Sequence, residues 1–259
     1  MSAFRSESPI GACNGVCDWT SSGRGWGHSC PVPTIDITAD PAGSGNVIVV
    51  GATATKHGTP TTVSSPYYPL GFTRANTKAV KLNGTDSYYD LGVGHTSTGA
   101  FTIAAVVRPA SVSGSPIIVS IDSDGLGGTA REFVLYRGAT SFTAYVFKSG
   151  GNSTITLSSG VVAGEWNVVC LSYNGSGGDG AAILRANVNG VAPAEVTNAV
   201  APLLTSTASL LIGANGQGTE GFWDGDIARV TYWRETSMTA AQLAQVAASM
   251  MGSLPSRGS

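Results

Sequence analysis

The chain of 259 residues is poor in charge. Only 12% of its residues are Asp, Glu, Lys or Arg, and the formal net charge is −2. A basic face able to hold nucleic acid is therefore excluded, and no nucleic-acid partner is expected. No window approaches the run of about 18 apolar residues that a spanning helix needs, so no membrane insertion is expected. The first residues, MSAFRSESPIGACNG, lack an apolar stretch of secretory-signal length. Histidine is scarce as well: His28, His57 and His95 are the three, and none lies in a G-x-S-x-G context where a hydrolase would hold its nucleophile. Glycosidic hydrolysis uses a pair of carboxylates, and an E-x-D-x-x-E run that would set them on one strand is missing. Glu165, Glu195, Glu220 and Glu235 each stand without such partners. The chain is expected not to be an enzyme.

What is present points to β structure. The 35 glycines, with frequent Ser and Thr, suit many short strands joined by tight turns. Strands are expected near 79–83, 87–91, 101–108, 116–122, 132–137, 142–148, 153–158, 166–173, 182–189, 209–213 and 226–233. In the segment 166–173, Trp166, Val168, Cys170 and Ser172 alternate with Asn167, Val169, Leu171 and Tyr173. Both faces carry apolar groups, as a strand between a core and a second packed surface requires. Asn189-Gly190 is a hairpin-turn signal. Asp224-Gly225-Asp226 reads as a turn, and Ile227 to Trp233 reads as a strand rich in β-branched and aromatic residues. Thr239 and Gln242 fit a capping box ahead of a helix over Ala240 to Ala248.

Upstream the pattern weakens. Residues 1–33 hold three of the four cysteines, with three Pro, five Gly and two Trp, and show no period of 2 or 3.6. Thr34 to Thr38 and Asn46 to Val50 are short strand candidates, suited to a hairpin added to the sandwich edge or to a neighbouring subunit. Residues 57–78 read as an extended connector. The organisation expected is an N-terminal arm or cap over 1–66, a sandwich over 67–251 and a tail over 252–259.

Several segments resemble one family in order and spacing. They are AVKLNGTDSYYDLG (Ala79 to Gly92), FTIAAVVRPAS (Phe101 to Ser111), GEWNVVCLSYNG (Gly164 to Gly175), ILRANVNGVAP (Ile183 to Pro193), LLIGANG (Leu210 to Gly216) and FWDGDIARVTYWRETSMTAAQLAQV (Phe222 to Val246). Together they are similar to the laminin G-like, concanavalin A-like lectin and glucanase jelly rolls, with Val106 standing where that family usually has Trp. The resemblance implies an all-β, two-sheet antiparallel sandwich with an irregular N-terminal arm and a short C-terminal helix. It implies no single function, because this sandwich hosts lectins, adhesion modules, glycan hydrolases and virion parts.

Candidate sites follow from side-chain chemistry. Sugar faces stack on exposed aromatic rings, with neighbouring amides and carboxylates giving specificity. Tyr136, Tyr145 and Trp223 are the glycan-binding candidates, Trp223 because it follows Gly221 closely and precedes a turn. Asp122 and Asp124 in IDSDG offer oxygen ligands for calcium, against the alternative of an ordinary Asp/Ser/Gly turn. Cys13, Cys17, His28 and Cys30 offer three thiolates and an imidazole for zinc, against one disulfide with a spare thiol, or free thiols. Cys170 sits in an apolar strand and reads as a small buried hydrophobe.

A sandwich of adhesion type with no export signal leads to the expectation of a bacteriophage virion protein, assembled in the host cytoplasm. It would decorate the capsid or join a tail or fibre, contact other virion subunits as a homo-oligomer, and touch cell-surface polysaccharide. A bacterial carbohydrate-binding module is the alternative, and a glycan hydrolase with an unrecognised site ranks third. The cysteine alternatives separate cleanly by experiment. Zinc predicts about one metal per chain. One disulfide predicts two free thiols of the four under denaturing, non-reducing conditions. Four free thiols without metal would reject both.

Overall fold

The computed structural model describes residues 52–64, 78–92, 99–111, 113–122, 131–158, 161–175, 182–201, 203–204, 206–216, 218–252 and 254, and the backbone of 35–39 and 47–50. The strands in chain order are β1 (Ile35–Ala39), β2 (Val47–Val50), β3 (Thr55–His57), β4 (Thr61–Ser64), β5 (Lys78–Asn83), β6 (Tyr88–Asp90), β7 (Phe101–Pro109) and β8 (Ile117–Asp122). They continue as β9 (Arg131–Arg137), β10 (Phe142–Lys148), β11 (Gly151–Leu157), β12 (Asn167–Tyr173), β13 (Ala182–Val188), β14 (Ala194–Ala199), β15 (Leu210–Ile212) and β16 (Asp224–Arg234). One helix, α1 (Ala240–Gly252), follows. A nine-stranded sheet runs β14-β13-β12-β7-β16-β1-β2, with β5 also on β16 and β4 on β5. A seven-stranded sheet runs β11-β10-β9-β8-β15-β6-β3. All pairings are antiparallel, and the two sheets stack as a sandwich.

Strand β12 shows why the sequence folds this way. Its odd-numbered residues Val169, Leu171 and Tyr173 enter the inter-sheet core with Leu82, Phe101, Ile103, Phe133 and Ile212. Phe101 and Phe133 stack at 4.5 Å there. Its even-numbered residues Val168 and Cys170 turn the other way, into a second cluster with Ala104, Val106, Trp233 and the helix residues Leu243, Val246 and Met250. Every residue of β12 is buried, as two-sided packing requires. Trp166 and Val168 thus belong under the helix and not between the sheets. Burial pushes the Cys170 thiol up to about 12, so this residue packs and does not react.

Local signals set the joints. Asn189 and Gly190 take φ of 53° and 73°, the positive pair that a tight hairpin turn demands. Gln242 Oε1 accepts from the Thr239 N–H at 2.9 Å, and Thr239 Oγ1 accepts from the Gln242 N–H at 3.3 Å, closing the capping box. The helix is anchored through Ser172, whose Oγ accepts from the Met238 N–H at 2.8 Å and from Thr102 Oγ1 at 3.0 Å.

Two expectations are corrected. Asp224-Gly225-Asp226 is not a turn but the first rung of β16, paired to both β5 and β7. Gly225 has φ of +140°, and a side chain there would begin 2.2 Å from the Arg108 carbonyl oxygen, so close strand approach is its role. Second, β3 and β4 lie in or beside the segment read as connector and contribute to the sheets, while the expected edge hairpin forms. β1 pairs with β16 and β2 with β1, making the hairpin at the sandwich's own edge. β3 pairs with β6 and β4 with β5. Strand β14 also had no local signal; its alternation is masked by Ala, Thr and Asn.

Trp233 is wholly buried beneath α1. Trp233→Ala is expected to cost about 3–5 kcal/mol and to lower the melting temperature by roughly 6–20 °C in a domain of this size, with the β-type circular dichroism spectrum kept. A melting temperature equal to that of the unaltered chain would contradict the packing of the helix on this sheet.

Candidate functional site

Strands β9 and β10 pair with Tyr136 opposite Thr143 and Val134 opposite Tyr145. Phe133, Leu135, Phe142, Ala144 and Val146 face the core. The period of two then sends Tyr136, Thr143, Tyr145 and Phe147 to the opposite face of the sheet. There the Tyr136 and Tyr145 rings stack with centroids 5.8 Å apart and planes within 7°. Tyr145 and Phe147 continue the row at 5.6 Å and 24°. All three rings are half-buried. Strand β11 sets Asn152 opposite Phe147, Thr154 opposite Tyr145 and Thr156 opposite Thr143. Asn152, Thr154 and Thr156 are exposed. The result is an apolar strip of nearly parallel rings flanked by hydroxyls and an amide, the combination that holds a sugar ring by its C–H face and its hydroxyl edge.

Ionic contacts fix the far end of the row. The Arg131 guanidinium lies over the Phe147 ring, 5.4 Å from its centroid. Arg131 Nε is also 3.0 Å from Asp122 Oδ2, and both side chains are buried. The Asp122 carboxylate, offered for calcium with Asp124 or as part of an ordinary turn, faces a guanidinium here. A bulge at the β8–β9 pairing brings the two residues opposite each other. Asp124 lies outside the described residues, as do Cys13, Cys17, His28 and Cys30. Among the described residues no group of three His, Cys, Asp or Glu side chains is placed to hold a metal.

Trp223 is corrected too: it is fully buried in the inter-sheet core. Its N–H donates to the Gly213 carbonyl at 2.8 Å, and its carbonyl accepts from the Gly84 N–H at 3.0 Å. These bonds fix the backbone where β16 begins, so the indole enters the core while Phe222 beside it stays half-exposed. Sequence reasoning missed Phe147. The signal that finds it is its position two residues beyond Tyr145 on one strand, hence on the same face.

Burial raises the pKa of Tyr136 above its ordinary 10.0, and its hydrogen bond to Tyr145 adds to the rise, while that from Thr143 opposes it. A raised tyrosine contributes stability that is fully present below the unfolded value and is lost as pH climbs through the folded value. Burial raises Tyr88, Tyr89 and Tyr232 as well, so absorbance titration is expected to show several tyrosines ionising late, and Tyr145→Phe to bring the Tyr136 step earlier among them. A Tyr136 step that stays at the same pH in Tyr145→Phe, once the missing Tyr145 phenol is allowed for, would contradict the paired hydroxyls.

Comparison with known proteins places the fold. No curated protein matches the sequence. Among solved structures, the carbohydrate-binding module CBM40 of the Ruminococcus gnavus IT-sialidase, bound to α2,3-sialyllactose, superposes with a TM-score of 0.54 at 16% identity. That match covers 65% of this chain and 96% of the module. The binding domain of Paraclostridial Mosquitocidal Protein 1 gives 0.60 at 8% identity, covering 83% of this chain and 51% of that one. The receptor-binding domain of botulinum neurotoxin type G gives 0.58 at 11% identity, covering 84% and 51%. The chain thus spans about half of each toxin domain. At these identities the structures establish a shared fold. Residues 83–244 match the laminin G-type family described as the concanavalin A-like lectin/glucanases superfamily, and the chain belongs to that family.

Proposed function

We propose that this chain is a non-catalytic glycan-recognition protein, and that the row Tyr136, Tyr145 and Phe147 is its sugar platform. The observation that carries the reading is the near-parallel stacking of these rings on a sheet face they do not need for the core. Rings left half-exposed in a row contribute less to folding than rings in the core, and contiguous apolar surface of this kind marks recognition. The non-catalytic part of the reading is supported by the commitments of the buried carboxylates. Asp122 faces Arg131, Asp226 accepts from Arg108 Nε at 2.6 Å, and Glu132 accepts from the Ser206 N–H at 2.9 Å. None of the three is left as an open acid or base. Likeness in fold to a carbohydrate-binding module and to the receptor-binding domain of a toxin supports the same reading.

The setting proposed for the module is a virion, as a homo-oligomeric part of a capsid, tail or fibre that touches host-surface polysaccharide. Its support is compositional: a charge fraction of 12% suits apolar contact with neighbouring subunits. The likeness to a carbohydrate-binding module favours a second setting, a bacterial module acting as a monomer. Mass measurement in solution separates them, since the first requires an oligomer.

Binding to an array of neutral and acidic glycans tests the platform. Tyr145→Ala and Tyr136→Ala are each expected to weaken the best array binder by about threefold to tenfold, the range for one lost aromatic contact. Unchanged affinity in the double variant, folded by circular dichroism, would remove the platform from the reading.

A further inference from the structure

A groove of about 440 Å³ opens where the β5–β6 turn, the β7–β8 loop and the start of β16 converge. Its size falls in the class of small-molecule sites. Asn83, Ser113, Ser115, Pro116, Phe222 and Asp224 supply the side chains that matter in its lining. These residues lie on other elements than the tyrosine row.

The walls are fixed by bonds that leave few groups to spare. Asn83 Oδ1 accepts from the N–H groups of Thr85, Asp86 and Ser87 at 3.0, 3.1 and 3.2 Å, and Asn83 Nδ2 donates to Asp86 Oδ1 at 2.8 Å. Its amide is spent on its own turn. Gly84, with φ of +71°, allows the turn to pass Asp224, whose Cβ would lie 2.9 Å from a side chain there. On the opposite wall the Ser111 and Ser113 hydroxyls bond each other at 2.7 Å. The wholly buried Arg137 holds that loop from behind, donating from Nη1 to the Ser111 carbonyl and from Nη2 to the Ala139 carbonyl.

Two groups remain open to a guest. Ser115 and the half-exposed Asp224 have no side-chain partner among the described residues, and Phe222 beside them offers an apolar ring. A second observation lies behind the wall. Asn215 is fully buried, its Cβ 3.4 Å from where a side chain on the lining residue Gly221 would begin. Neither its Oδ1 nor its Nδ2 has a partner among the described residues. A buried amide left unpaired is an uncompensated loss of hydration, but Asn215 does not line the groove, and the groups a guest meets are Ser115, Phe222 and Asp224.

We infer that this groove is a second carbohydrate site, separate from the tyrosine row, and that it takes an uncharged, hydroxyl-rich sugar end. A carboxylate accepts hydrogen bonds at both oxygens, so Asp224 suits two neighbouring sugar hydroxyls, with Phe222 against the ring. Asp224 is the one ionisable residue of the lining. No cation lines the groove to balance an acidic sugar, so sialylated or uronic ends meet repulsion from Asp224.

Nitrogen-labelled full chain, titrated with methyl β-galactoside, methyl α-mannoside and N-acetylglucosamine, and separately with α2,3-sialyllactose, tests this by amide shift mapping. At least one neutral sugar is expected to shift Gly84, Ser113, Ser115 and Phe222, with sialyllactose at least tenfold weaker there. Asp224→Asn keeps the shape and is expected to weaken the neutral sugar by about tenfold, as for a lost bond to a charged acceptor. It should also narrow the gap to sialyllactose. Groove shifts that persist in the Tyr136→Ala/Tyr145→Ala variant support a separate site. Absence of groove shifts with every probe, equal binding of sialyllactose at the groove, or loss of groove shifts in the tyrosine variant would each overturn the inference. Platform binding on the array is measured independently, so either site can fail while the other stands.

Discussion

Burial on both sides of the central strands β7, β12 and β16 is the constraint on which the rest depends. Their backbone donors and acceptors are satisfied by ladders to neighbours on each edge. Their side chains must therefore find apolar partners above and below. One side meets the second sheet through Phe101, Leu171 and Tyr232. The other side meets α1 through Val106, Cys170 and Trp233. Removing either cover would expose a large apolar area, and on the helix side it would also strip Ser172 of its bond to the Met238 N–H. The helix is consequently part of the core, and its cap at Thr239 and its anchor at Ser172 are structural requirements of the sheet.

That arrangement is asymmetric. The outer face of the nine-stranded sheet is occupied by the helix, while β9 and β10 of the other sheet keep a half-exposed row of rings on theirs. Charges buried near the two surfaces are balanced locally, Asp122 by Arg131 and Asp226 by Arg108. A low total charge makes each remaining ionisable group at a surface more informative. Asp224 at the end groove is such a group, because its neighbours there are hydroxyls, an amide and an aromatic ring.

The sequence was legible wherever a local pattern carried its own physical reason. Alternation in 166–173 showed two packed faces before any helix was placed over one of them. Asn189-Gly190 and Thr239 with Gln242 announced a turn and a cap because those geometries are made within a few residues. Tyr136 and Tyr145 were named as ring candidates, and the structure stacks them. Legibility failed where the deciding contact was distant. Asp224-Gly225-Asp226 has turn chemistry locally, yet pairing to β5 and β7 makes it strand. Trp223 has glycine before it and an Asp-Gly pair after it, like an exposed loop aromatic, yet bonds to Gly213 and Gly84 direct it into the core.

By itself, then, the sequence determined the fold class, most strand positions, the two-faced character of β12 and the family. These rest on periodicity, turn chemistry and motif order, which are properties of neighbours along the chain. Only the tertiary structure decided which aromatics share a face, which carboxylates are already neutralised, that β1 to β4 complete both sheets, and that Asn83, Ser115, Phe222 and Asp224 border one groove. These depend on register and on loop convergence between residues far apart in sequence. A single-residue slip in pairing would turn Tyr136 inward and Leu135 out, so no reading of one strand alone can fix them.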